Sequence, residues 1–138
     1  MEIIIDDNSK LCEIQEEFSM RFPYLKLEFF EFEPANKKIF LKENLITDKN
    51  KTIGQIRHVH LFGRVSINGH QKVSTLEKHF RENFGINIQV FRKSANTWLQ
   101  TIDTDSWTLT EQNRKGEEMD NSINEQVSPD FDEYHEQL

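Results

Sequence analysis

Residues 72–85 read KVSTLEKHFRENFG and residues 10–23 read KLCEIQEEFSMRFP, nearly the same apolar pattern twice in one short chain. A pattern repeated at this length limits the chain to folds made from one unit used two times. Laid over each other without a gap, Ile3 falls on Val65, Ile5 on Ile67, Leu11 on Val73, Ile14 on Leu76, Phe18 on Phe80 and Phe22 on Phe84. Lys10 falls on Lys72, an identity.

The period changes inside each copy. Positions 3 and 5 alternate, as in a strand, whereas 11, 14, 18 and 22 follow one face of a helix. Asp6-Asp7 and Asn68-Gly69 supply the turn between them. Pro23 and Gly85 stop the two helices in register, the first by crowding its predecessor and lacking an N–H, the second as a C-terminal glycine. After a one-residue deletion, Leu25, Leu27 and Phe29 match Ile86, Ile88 and Val90 as alternating strands. PANK (34–37) and SANT (94–97) then turn, with Asn36 and Asn96 as the residues that tolerate positive φ. A further strand follows in each copy, KIFLKE (38–43) and TWLQT (97–101), and Thr52 and Thr108 are placed to N-cap a short helix.

The sequence therefore predicts an α+β domain over 1–115. It is built from tandem β-α-β-β-(α) units at 1–61 and 62–115. The strand–helix–strand order predicts parallel crossovers and mixed pairing with both long helices on one face, the two units either sharing one continuous sheet or packing as paired halves. After Gly116 the chain is acidic and poor in aliphatics, which predicts a disordered tail over 116–138 carrying Phe131 and Tyr134.

Charge is unevenly spread. The total is −7, but residues 1–33 carry −6, residues 34–97 carry +8 and residues 98–138 carry −9. The acidic total argues against general nucleic-acid or anionic-membrane binding, while the basic middle keeps a nucleic-acid interface, covered by the acidic tail, as the second reading. The lone Cys12 fits a reducing compartment, and the sequence shows neither a secretory pattern nor an apolar run long enough to span a bilayer. The expectation is a cytoplasmic protein, monomeric or weakly dimeric, with a protein partner.

Candidate chemistry is sparse. His58 and His60 would share a strand face where two imidazoles can hold a metal, given a third ligand from His70, His79 or Cys12; two strand-end histidines explain them more simply. Cys12 aligns with Ser74 and has acidic neighbours, which reads as structural rather than reactive. Asp103 and Asp105, with Asp48 repeating the latter's place, read as helix-entrance caps rather than an acid–base pair. Single glycines at 54, 63, 69 and 85 make no phosphate-binding loop. No catalytic residue, cofactor or metal site is assigned, and the chain is not expected to be an enzyme.

The surface candidate is the set Phe91, Arg92, Lys93, Trp98 and Trp107, an aromatic and basic combination suited to a peptide, an acidic partner or single-stranded nucleic acid. Alternation puts Phe91 and Lys93 on one strand face and Arg92 on the other; core positions for the two tryptophans are the alternative. The stretch VFRKSANTWLQTIDTDSWTLTEQNRKG resembles one shared by small uncharacterised conserved bacterial proteins. That resemblance implies a domain that recurs in bacteria, and it carries no catalytic residues over.

Overall fold

The computed structural model describes residues 1–31 and 42–126, with the backbone alone for 122–126. β1 (Glu2–Ile5) leads to α1 (Leu11–Arg21) and β2 (Leu25–Phe30). Short 3-10 turns at Lys42–Asn44 and Ile53–Gln55 precede β3 (Gly63–Ser66), α2 (Val73–Phe84), β4 (Asn87–Ser94), β5 (Thr97–Gln100) and α3 (Leu109–Gln126). The protein is α+β, and every helix and strand of the second copy up to β4 has its twin in the first.

Strand pairing departs from the expected crossovers. β1 pairs with β3, and β2 pairs with β4, which also pairs with β5; all three ladders are antiparallel. The expected parallel crossovers and mixed pairing are thus replaced by antiparallel pairing in a β1–β3 ribbon and a β2–β4–β5 sheet. Each strand up to β4 pairs with its own counterpart from the other copy. Ile3 lies opposite Val65, its repeat equivalent, and Glu28 lies opposite Gln89, likewise equivalent. Flanking pairs cross over, Leu27 with Val90 and Phe29 with Ile88. This register describes a local two-fold axis through both ladders, so the two copies, consecutive along the chain, are intertwined in space. The antiparallel ladder is slightly stronger per residue than the parallel one, and the exchange buries the same apolar faces of both copies against each other.

The helix stripes face the core as their spacing predicts. Leu11, Ile14 and Phe18 of α1 and Val73, Leu76 and Phe80 of α2 join Ile3, Ile5, Val65 and Ile67 of the ribbon in one core, completed by Leu25, Leu27, Phe29, Ile88 and Val90. Fully burying such a side chain is worth roughly 1.5–3 kcal/mol, so each helix depends on strands from both copies. Gly85 closes α2 with φ of 66°, as its position predicts.

The loops repeat as faithfully as the helices. Neither Lys10 nor Lys72 caps its helix with a side chain. Instead the first N–H groups reach loop carbonyls: Leu11 to Lys51 and Cys12 to Lys49 in one copy, Val73 to Trp107 and Ser74 to Asp105 in the other. Thr52 with Gln55 and Thr108 with Glu111 form matching capping boxes. The aspartates therefore do not cap: Asp48 Oδ1 accepts the Asn50 N–H in a local turn.

Three further expectations are corrected. The β4–β5 turn places Ala95, not Asn96, at positive φ (58°). The expected strand over 38–43 is a 3-10 turn from Lys42 on, and its remainder, with Asn36, lies outside the described residues. The tail expected from residue 116 is helical as far as Gln126, and Phe131 and Tyr134 lie outside the described residues. Gly116 is there for packing: a Cβ on it would stand 2.8 Å from the Tyr24 Cβ and 3.0 Å from the Tyr24 carbonyl oxygen. α3 crosses the start of β2 at that point, held by the Tyr24 N–H donating to Asn113 Oδ1 at 2.8 Å.

Candidate functional site

Alternation along β2 sends Leu25, Leu27 and Phe29 into the core and Lys26, Glu28 and Phe30 to the opposite side of the sheet. Register then assembles a surface. Phe91 on β4 faces Lys26, and Trp98 on β5 faces Lys93. Lys26 Nζ lies 5.6 Å from the centroid of the Phe91 ring and 4.9 Å from that of Trp98, cation–π distances. Trp98 remains 37% exposed.

Two hollows of about 400 Å³ each meet at this point. One runs between β2 and α1, past Cys12, Gln15 and Ser19; the other runs over the sheet, past Phe30, Lys42 and Phe91. Lys26, Glu28 and Trp98 line both. They make one trough with an aromatic floor and lysine walls. Glu28 sits in the middle, 9% exposed, with Lys26 Nζ at 3.3 Å and Lys49 Nζ on its other oxygen. Lys49 also donates to the Ile46 carbonyl at 2.7 Å, which fixes it over the trough. Two cations around one carboxylate leave local positive charge.

The five-residue surface expected from the sequence divides between two faces. Phe91 and Trp98 belong to the trough, and Lys93 lies on the same sheet face, across the ladder from Trp98 but outside the lining. Arg92 and Trp107 lie on the other side of the sheet, against α3: Arg92 Nη1 donates to Gln112 Oε1 at 2.9 Å, and its guanidinium lies 5.6 Å from the Trp107 ring centroid. Burial lowers the pKa of Arg92 from its ordinary value, and its Nε is buried with no hydrogen-bond partner among the described residues. An ion pair joins the two faces, Lys93 Nζ to Asp120 Oδ1 of α3 at 3.4 Å. Lys26, Glu28 and Lys49 were missed because they come from the first copy. The alternation of LKLEFF already marked Lys26 and Glu28 as outward, but only the β2–β4 register puts them beside Phe91.

The histidine pair is not built as a strand face. Residues 58–62 form a loop, and His60 Nδ1 lies 2.9 Å from Asp7 Oδ2. Asp7 Oδ1 takes Nε and Nη2 of Arg57, whose side chain is fully buried and also donates to the Phe84 and Leu61 carbonyls. His58 lines a separate hollow of about 200 Å³ with Glu31 and Ile46. Among the described residues, no three His, Cys, Asp or Glu side chains converge as metal ligands. Cys12 is half-buried near the start of α1 and lines the trough.

One acidic group outside the trough has an unusual setting. Glu77 on α2 accepts the Val90 N–H at 3.2 Å, and burial, with Asp105 nearby, pushes its pKa up to about 8. Its repeat equivalent is Gln15, which donates to the Leu27 carbonyl at 2.8 Å. Both helices thus send a polar side chain at this repeat position to the backbone of the paired strands, and α1 adds a second, the Ser19 hydroxyl donating to the Leu25 carbonyl at 3.1 Å.

Comparison with protein-family models, with curated proteins and with solved structures finds no match to this chain. Among the described residues, no helix is long and apolar enough to cross a membrane.

Proposed function

We propose that the protein is a non-enzymatic interaction module of the cytoplasm whose trough grips an extended segment of a partner protein. The observation that carries this reading is Trp98, half-exposed between two hollows with a lysine over its ring. Aromatic anchors in desolvated pockets supply most of the energy in protein recognition. β5 adds a second attraction: it is the edge strand of its sheet and is exposed along its whole length, a template for strand addition.

The second reading is nucleic-acid binding by the basic middle segment. Lysines beside Phe91 and Trp98 would serve as a stacking platform. Glu16 and Glu28 interrupt the lysines of the trough, which opposes a backbone charged at every nucleotide more than a peptide with spaced carboxylates, so the protein segment is favoured. Selection from a random peptide display library tests the choice. Acidic, aromatic-bearing peptides are expected, with affinity falling about tenfold or more in Trp98→Ala. Failure to select peptides, together with salt-dependent retention of single-stranded nucleic acid on filters, would favour the second reading.

A further inference from the structure

The end of α3 and the trough are neighbours. Asp120 pairs with Lys93 at 3.4 Å, and Lys93 lies directly across the ladder from Trp98. From Asp120 the helix advances only about 9 Å to Gln126. Residues 127–138, VSPDFDEYHEQL, follow it. Twelve residues extend up to roughly 40 Å, more than enough to round the β4–β5 hairpin.

The chemistry of that segment complements the trough. Asp130, Asp132, Glu133 and Glu136 surround Phe131 and Tyr134, and no Lys or Arg follows Lys115. The trough offers Lys26, Lys42 and Lys49 around Phe91 and Trp98, with Glu16 and Glu28 as its opposing charges, which leaves one positive charge in excess. A segment tethered this closely competes at a high effective concentration, so even weak contacts suffice.

We propose that residues 127–138 occupy the trough of their own chain, Phe131 or Tyr134 against Trp98 and the carboxylates on the lysines, and that a partner must displace them. This inference rests on the trough being a segment-binding site.

The test uses the full chain, with a nitroxide spin label on Cys12, the only cysteine, which lines the trough. Amide signals of 130–136 are expected to broaden at about 50 mM salt and to sharpen at about 0.5 M salt, where charge attraction is screened. They should also sharpen in Lys26→Glu/Lys49→Glu. A second arm adds a synthetic 127–138 peptide in trans and follows the Trp98 indole resonance. Phe131→Ala/Tyr134→Ala, which vacates the trough, should bind the peptide about fivefold or more tightly than the unaltered chain. Unbroadened tail amides with equal peptide binding by both chains overturn the inference but leave the segment-binding reading. Unbroadened amides with no peptide binding overturn both.

Discussion

Glu28 and Gln89 hold the same place in the two copies of the repeat, and they face each other directly across the β2–β4 ladder. Ile3 and Val65 do the same in the β1–β3 ladder. Both ladders therefore join one copy to the other, so neither copy can close a sheet from its own β1–β2 or β3–β4 strands.

Cutting the chain between the copies tests this interlock. Fragments 1–61 and 62–138 are each expected to lack a cooperative thermal transition as monomers, because the core draws on both. Mixed in equal amounts, they should recover one. A folded monomeric half, seen by circular dichroism with ultracentrifugation, would refute the interlock.

A contact repeated on the dyad is solved by glycine on opposite sides. The Gly54 N–H meets the Asp7 carbonyl in one copy, and the Thr110 N–H meets the Gly69 carbonyl in the other. A Cβ on Gly54 would stand 2.9 Å from the Asp7 Cβ, and one on Gly69 would collide with the Thr110 hydroxyl. Gly69→Ala is expected to cost about 1–3 kcal/mol as overpacking. Thr110→Ala should relieve most of that cost, since the Thr110 Cβ itself lies 3.5 Å away. A double-mutant cycle from urea melts measures the relief; strictly additive costs would mean the two sites are not coupled.

Arg57 is a buried cation, 6% exposed. Arg57→Met is expected to cost about 3–5 kcal/mol, because the Phe84 and Leu61 carbonyls and Asp7 lose their donor together. The hydrogen bond from Arg57, with that from His60, holds Asp7 below its ordinary 3.8. The stability linked to Asp7 is thus present above about pH 4 and lost as pH falls below it. Acid unfolding midpoints of the parent and Asp7→Asn should differ in that direction, the parent being the more acid-sensitive relative to its neutral stability.

Glu77 gives the opposite dependence. Its folded pKa of about 8 exceeds the ordinary 4.5, so between those values the unfolded chain ionises while the folded one keeps its proton. Stability should fall by roughly 2–4 kcal/mol as pH climbs through that window and level off above it. Glu77→Gln, the residue type the first copy already uses at Gln15, should remove this slope and stabilise the protein at pH 9. Equal slopes in melts of the two proteins from pH 4.5 to 9 would rule out a raised Glu77.

Much of the local structure was legible. The helix stripes, the stops at Pro23 and Gly85 and the threonine caps follow from period and local chemistry, which act within a few residues. Gly116 misled because a packing glycine inside a helix looks like a boundary until Tyr24 is seen against it. The trough was half legible: alternation put Phe91 and Lys93 on one face and Arg92 on the other. Lys26, Glu28 and Lys49 were hidden because they lie far away in the chain.

The sequence by itself determined that a strand–helix–strand unit occurs two times and which side of each element is oily, since period and turn chemistry are local properties. Only the tertiary structure decided which strand lies beside which. Alternation fixes the face of a strand but says nothing of its neighbour, and here like chose like. Antiparallel pairing of twins buries both oily faces, and it brings a lysine of the first copy over a tryptophan of the second.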